Sequence, residues 1–336
     1  MQVTSLGDMA QSFQLRLHNN TVKTDVQRLT KELSSGQTSD IGKTVRGDFS
    51  LLAGVERGLR LSDIYATSIA EADLYTGAQQ AALGTIQDKL TDLAPLLFSA
   101  TGAGEFATLF GAAADAESAL DLAVSALNTQ IAGRSLFAGD RPDQPALISA
   151  EAILDELTPI AAAASTTSEM VSLITDWFLQ AGGGYETLAF TGGDGATPSY
   201  LIGEGETVAA GSTANDQGVR EALLGFSIAA LAARQTGPSD TASLQSLLEA
   251  AGTRMLSAQD SFSSMRAELG IVQGRIEESR VRNEAMAASL TLEQGRILGI
   301  DPYETATELE ATSLRLETLF LLTSRLSRLS LAEYLR

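Results

Sequence analysis

The sequence predicts a mainly α protein, a long antiparallel helical rod or coiled coil built from both termini, with a small inserted mixed α/β domain. Three observations predict it. Apolar residues recur in alternating steps of three and four near both ends of the chain, a spacing that lays one narrow stripe along a helix and suits side-by-side pairing. Glycine and proline clusters punctuate the stretch 139–218, with short β-leaning runs between them. An aromatic content of 5% and seven prolines in 336 residues favour long helices over β-sandwiches.

The first helix carries Leu6, Met9, Phe13 and Leu17, then Val22, Val26, Leu29 and Leu33, and stops at Ser34-Ser35-Gly36, where glycine fits a helix C-cap. A second helical stretch runs from about 48 to 97, with Leu83, Ile86, Leu90, Leu93 and Leu97 in 3-4-3-4 steps. A third, at 114–132, carries Leu120, Val124, Leu127 and Ile131. Towards the other end, Phe262, Met265, Leu269, Val272 and Ile276 repeat the 3-4 pattern. After Gly299 and Pro302 a last helix shows Leu319, Leu322, Leu326 and Leu329. The stripes on the first and last helices are the expected assembly seam, and those at 83–97 and 262–276 the expected core of the rod.

The middle is expected to hold one helix, at about 150–181, followed by strands at YETLAF (185–190), SYLI (199–202) and ETVA (206–209). This divides the chain into an amino-terminal arm (1–137), an outer insert (138–218) and a carboxy-terminal arm (219–336). Phe137, at the end of GRSLF, reads as a hydrophobic plug between arm and insert. A turn-rich insert of this kind is expected to tolerate replacement of 185–210 by a Gly/Ser linker.

Composition removes much chemistry. There is no cysteine, so disulfides, thiolate metal sites and cysteine nucleophiles are excluded. The single histidine, His18, rules out HExxH hydrolases and nearly all Ser-His-Asp arrangements, and is expected on the surface. A net charge of -19 disfavours nucleic acid as a partner. All of it lies in 61–265, because residues 1–60 and 266–336 together balance to zero. SGQTSDIGKT (35–44) has five residues between Gly36 and Gly42 and follows a helix, so it is a turn rather than a phosphate loop. Carboxylate pairs such as Asp155/Glu156 and Glu277/Glu278 read as solvated helix faces. The longest apolar run, ALLGFSIAALAA (222–233), is too short to span a bilayer. No Sec-type signal opens the sequence, so no membrane insertion is expected and export would need another route. No catalytic, cofactor-binding or metal residues are expected, and no cofactor.

Several segments together resemble the flagellin superfamily, and within it the hook-associated proteins of the hook–filament junction. LTKELSSGQ (29–37) resembles that family's helix end. LNTQIAGRSLFAGDRPDQPAL (127–147) resembles the approach to its outer domain, through Gly133, Arg134, Leu136, Phe137 and Gly139. LGIVQGRIEES (269–279) is similar to the carboxy-terminal flagellin signature at Leu269, Gly270, Gln273, Arg275 and Glu277. DPYETATELE (301–310) resembles the opening of the last helix, and LSLAEYLR (329–336) the junction proteins' closing residues. The run Thr38-Ser39-Asp40-Ile41-Gly42-Lys43 departs from the family's pattern.

The resemblance implies a structural, non-enzymatic subunit of the bacterial flagellum. Its expected partners are copies of itself in a ring, the first hook-associated junction protein, flagellin and a flagellar export chaperone. Its expected route is flagellar type III export to the cell exterior, without a cleaved signal peptide. The monomer is expected to be disordered over 1–40 and 300–336 until assembly. Filament flagellin remains an alternative, as does a secreted adhesin or enzyme acting through the insert.

Overall fold

The structure, a computed structural model, describes residues 3–334 except 194, 196, 210 and 239, and side chains at 10 and from 13 to 325 with the same exceptions. Its elements are α1 (Val3–Ser35), α2 (Ile41–Thr44), α3 (Ser50–Ala103), α4 (Phe106–Leu127), β1 (Gln130–Ile131), β2 (Arg134–Ser135), α5 (Ala150–Ala163), α6 (Thr167–Leu179), a π-helical turn (Tyr185–Ala189), β3 (Ser199–Gly203), β4 (Glu206–Ala209), α7 (Gln217–Ala233), α8 (Thr241–Leu298) and α9 (Pro302–Tyr334). The fold is mainly α, with two small antiparallel strand pairs among the described residues. The chain divides into two compact units, 1–63 with 284–336, and 64–283.

The second unit is organised around α7. From Ala222 to Ala232 every residue of this helix is buried, as expected of a helix apolar on all sides. It packs on α4, α5 and α6, and on α8 at two glycines. A Cβ at Gly225 would stand 2.9 Å from Met255 Cγ, and one at Gly218 2.8 Å from Ser261 Cβ. Only the missing side chain lets the two helices come this close. Leu83, Ile86, Leu90, Leu93 and Leu97 on α3, and Phe262, Leu269 and Ile276 on α8, are buried in the same core, with Met265 and Val272 half-buried against it.

The segment 138–218 has no core of its own. Phe137, Leu147, Ile153, Phe178, Tyr185, Tyr200 and Val208 belong to one apolar cluster with α3, α4, α7 and α8. Entry to the segment is a hairpin, β1–β2, whose turn residues Ala132 and Gly133 both have positive φ (50° and 77°), the geometry that matches strand twist. Entry and exit are both held by α3: Gln79 Nε2 donates to the carbonyls of Leu136 (2.7 Å) at the entry and Ser212 (3.2 Å) near the exit, and Tyr75 donates to that of Ser135. Burial of Tyr75 pushes its phenol pKa up.

Three expected boundaries are corrected. The single helix at 150–181 is two helices. Thr166 caps the second by accepting from Glu169 N (3.2 Å), while Glu169 Oε2 accepts from Ser165 N (2.9 Å), so a reciprocal cap interrupts the run. YETLAF is a π-helical turn rather than a strand. Its local β preference is overridden by Tyr185, whose ring is buried against Trp177 and Phe178 and whose hydroxyl donates to Ala214 O at 2.5 Å. The third helix is α4, over 106–127, and Ile131 lies beyond it in β1. Asn128 ends α4 by accepting from Leu147 N (2.8 Å) and donating to Leu147 O (2.9 Å). SYLI and ETVA are strands, paired with Tyr200 opposite Val208. Phe137 is fully buried. The second helix, expected over 48–97, is observed over 50–103.

Candidate assembly surface

In the first unit α1 packs along α9. The two run antiparallel, because the carboxy end of α1 is bonded to the residues that lead into α9 (Ile300 N to Gly36 O, 3.2 Å). On α1 the covered face is Leu15, Asn19, Val22, Val26, Leu29 and Glu32, of which Val22, Leu29 and Glu32 are buried and the others half-buried. On α9 it is Thr305, Leu309, Thr312, Leu316 and Leu319, with the two threonines buried and the leucines half-buried. Both sets keep 3-4 steps, the period of a paired helical seam.

The expected seam coincides with this face only in part. Val22, Val26, Leu29 and Leu319 lie on it. Phe13 (65% exposed), Leu17, Leu33 and Leu322 do not; all four are exposed. Leu6, Met9, Leu326 and Leu329 lie outside the residues whose side chains are described. For Phe13 and Leu17 the reason is a five-residue step between Leu17 and Val22, which rotates the first stripe off the second. On α9, Thr305 and Thr312 occupy buried seam positions that an apolar count passes over. A polar residue at a single buried seam position fixes register in paired helices; this pair has Asn19, Thr305 and Thr312.

Because the paired face uses so few large side chains, apolar surface is left uncovered. Besides Phe13 and Leu17, α9 exposes Leu314 (65%), Phe320, Leu321 and Leu322, and the same unit exposes Leu51, Met286 and Leu292. Large apolar side chains exposed along two paired helices mark a candidate interaction surface. At about 25 cal/mol per Å² of apolar area covered, burying it favours association.

Other candidate sites have weaker chemistry. An open hollow of about 340 Å³ in the second unit is lined by Gly193, Gly195, Thr197, Gly211, Thr213, Asn215 and Asp216. Burial raises the Asp216 pKa, against hydrogen bonds from Thr213 N and Oγ1 that favour the carboxylate. The hollow is polar and open rather than a deep apolar pocket. Among the described residues no three His, Cys, Asp or Glu side chains are grouped to hold a metal ion, and no helix is long and apolar enough to cross a membrane. His18 is exposed on α1.

Residues 253–335 match the family model of the bacterial flagellin C-terminal helical region. No curated protein sequence matches the chain. Among solved structures, FlgL of Bacillus cereus aligns with a TM-score of 0.51 at 14% identity, over 72% of this chain and all of that one. A proposed flagellar hook-associated protein from Vibrio parahaemolyticus aligns at 0.45 and 15% identity, over 73% of this chain and 99% of that one. The fold is thus flagellin-like, and the family's carboxy-terminal region falls on α8 and α9, the second of which forms the paired seam with α1.

Proposed function

We propose that this chain is a structural subunit of the bacterial flagellum, hook-associated protein 3, which self-assembles into the hook–filament junction. The observation that carries this reading is that the flagellin carboxy-terminal match, 253–335, includes α9, which pairs with α1 and leaves large apolar side chains uncovered. The fold shared with FlgL of Bacillus cereus supports it. In this reading the apolar residues of α1 and α9 meet neighbouring copies in a ring. One rim of the ring joins the first hook-associated protein and the other receives flagellin. The segment 138–218 is the outer insert carried by the arms 1–137 and 219–336. The subunit leaves the cell by the flagellar export route, accompanied by an export chaperone, and its role is not enzymatic.

Filament flagellin is the second reading, favoured by the same match at 253–335. Gold-labelled antibody against the chain separates the two: label confined to the hook tip fits a junction, label along the filament fits flagellin. The assembly claim is tested by Leu314→Asp with Leu322→Asp. Both side chains are exposed, so the purified double variant should keep its helical circular dichroism. Two charges set in a buried contact would cost several kcal/mol each, on the order of 3 or more. Cells carrying it should shed flagellin into the medium and fail to swim. Normal filaments would refute the proposed role of this face.

A further inference from the structure

We propose that the turns at 35–40 and 298–301 form a latch closed by Glu32, whose side-chain contacts, rather than the helicity of α1 as such, keep the start of α9 in order. This holds whether or not the chain assembles as proposed above.

The turn after α1 and the turn before α9 are joined by two main-chain bonds, Thr38 N to Leu298 O (2.8 Å) and Ile300 N to Gly36 O (3.2 Å), around a single bridge between Gln37 and Gly299. A two-bond ladder with no neighbouring strand is marginal in water. Something must hold residues 36–40 in place for it to persist. Gly36, at φ 70°, turns the chain out of the helix, with its N–H on Glu32 O (2.8 Å). The Glu32 side chain then reaches past the turn, and its Oε1 accepts from Ser39 N at 2.8 Å. Its other oxygen takes Arg28 Nη1 at 2.9 Å, one helical turn earlier, and the carboxylate is 5% exposed.

Each contact is charge-assisted, and the carboxylate that makes both is itself buried. The carboxylate therefore staples the helix end to the far side of its own turn, which leaves Thr38 N–H facing Leu298. On the other side, Asp301 Oδ1 accepts from Tyr303 N (2.9 Å) and Glu304 N (3.1 Å), so the residue after the ladder is also the cap of α9. Glu32 and Asp301 are the two fixed ends of the latch, and the ladder lies between them.

The test is hydrogen exchange on the full-length protein. Glu32→Ala should speed exchange at Thr38 and Ser39, and also at Ile300, at least about tenfold, the effect of losing one such bond. Peptides from 64–283 should be unchanged. Thr30→Gly is the comparison: it lies exposed on the same helix and weakens α1 without touching the latch, so Ile300 should stay protected. Glu32→Gln, which keeps the shape and one acceptor oxygen, should fall between wild type and Glu32→Ala, and decides the matter if the alanine variant unfolds altogether. Loosening of 36–40 with Ile300 unmoved would overturn the proposal. So would equal loosening of Ile300 by Thr30→Gly, since plain helix destabilisation would then suffice.

Discussion

Single residues set the tightest contacts in this chain, and Gly225 is the clearest. With Met255 Cγ 2.9 Å from where its Cβ would be and Met255 N at 3.3 Å, part of the obstacle is backbone and cannot swing aside. Gly225→Ala should therefore destabilise the second unit by about 1–3 kcal/mol, the usual cost of overpacking, despite alanine's better helix propensity. Urea unfolding followed by circular dichroism at 222 nm measures it, and an unchanged or raised midpoint would contradict the close approach. Residues of this kind are hard to read in a sequence. Gly225 sits in an apolar run where it looks like one more small residue. Thr305 and Thr312 are hidden in the same way, because leucine spacing alone does not mark a buried helix face that threonines occupy. Glu32 is an acid whose burial depends on Ser39 and Arg28 standing beside it.

At the scale of elements the 3-4 spacing carried most of the information. It located the stripes of α3 and α8 whose members line the core, because a period that matches the helix leaves those residues on one face. It failed where local and tertiary preferences diverge. Thr166-x-x-Glu169 is a capping signature that marks the α5–α6 break, and the expectation of one helix over 150–181 passes over it; YETLAF carries no such sign, since nothing local says that Tyr185 must turn inward. The same burial argues against the expected tolerance of the insert. Tyr185, Tyr200, Ile202 and Val208 belong to the common core, and Ser279 and Arg282 on α8 bond the β3–β4 hairpin through Ile202 O and Glu206 (2.7 Å for the latter). Replacing 185–210 by a Gly/Ser linker should thus lower the unfolding midpoint of the remaining helices and broaden the transition. A sharp transition at the wild-type midpoint would mean the insert is energetically separate after all.

For the whole molecule, the two units differ in charge and in buried surface. The first carries 13 basic and 15 acidic residues, the second 10 and 27. A near-neutral unit suits close packing among like copies, and an acidic one stays hydrated. Among the described side chains the first unit also buries few large apolar ones, chiefly Val22, Leu29, Leu52, Val55 and Leu298, whereas the shared core of the second unit holds several dozen apolar residues. Local opening follows such differences. Dilute proteinase K should trim the monomer within 1–40 and 300–336 and leave a fragment that retains 64–283. First cuts inside 64–283 would reverse that ranking of stability.

The burial of α7 from Ala222 to Ala232 also bears on the time course of synthesis. Leu120 of α4 and Phe226 of α7 share one core, yet the ribosome makes them about a hundred residues apart, a delay of roughly 5–20 s at about 5–20 residues per second. Throughout that interval the apolar face of α4 has emerged and its partner does not yet exist. The molecule postpones its own closure until two-thirds of it has been translated. A nascent chain in that condition stays open to capture by whatever binds exposed apolar helix until α7 has emerged.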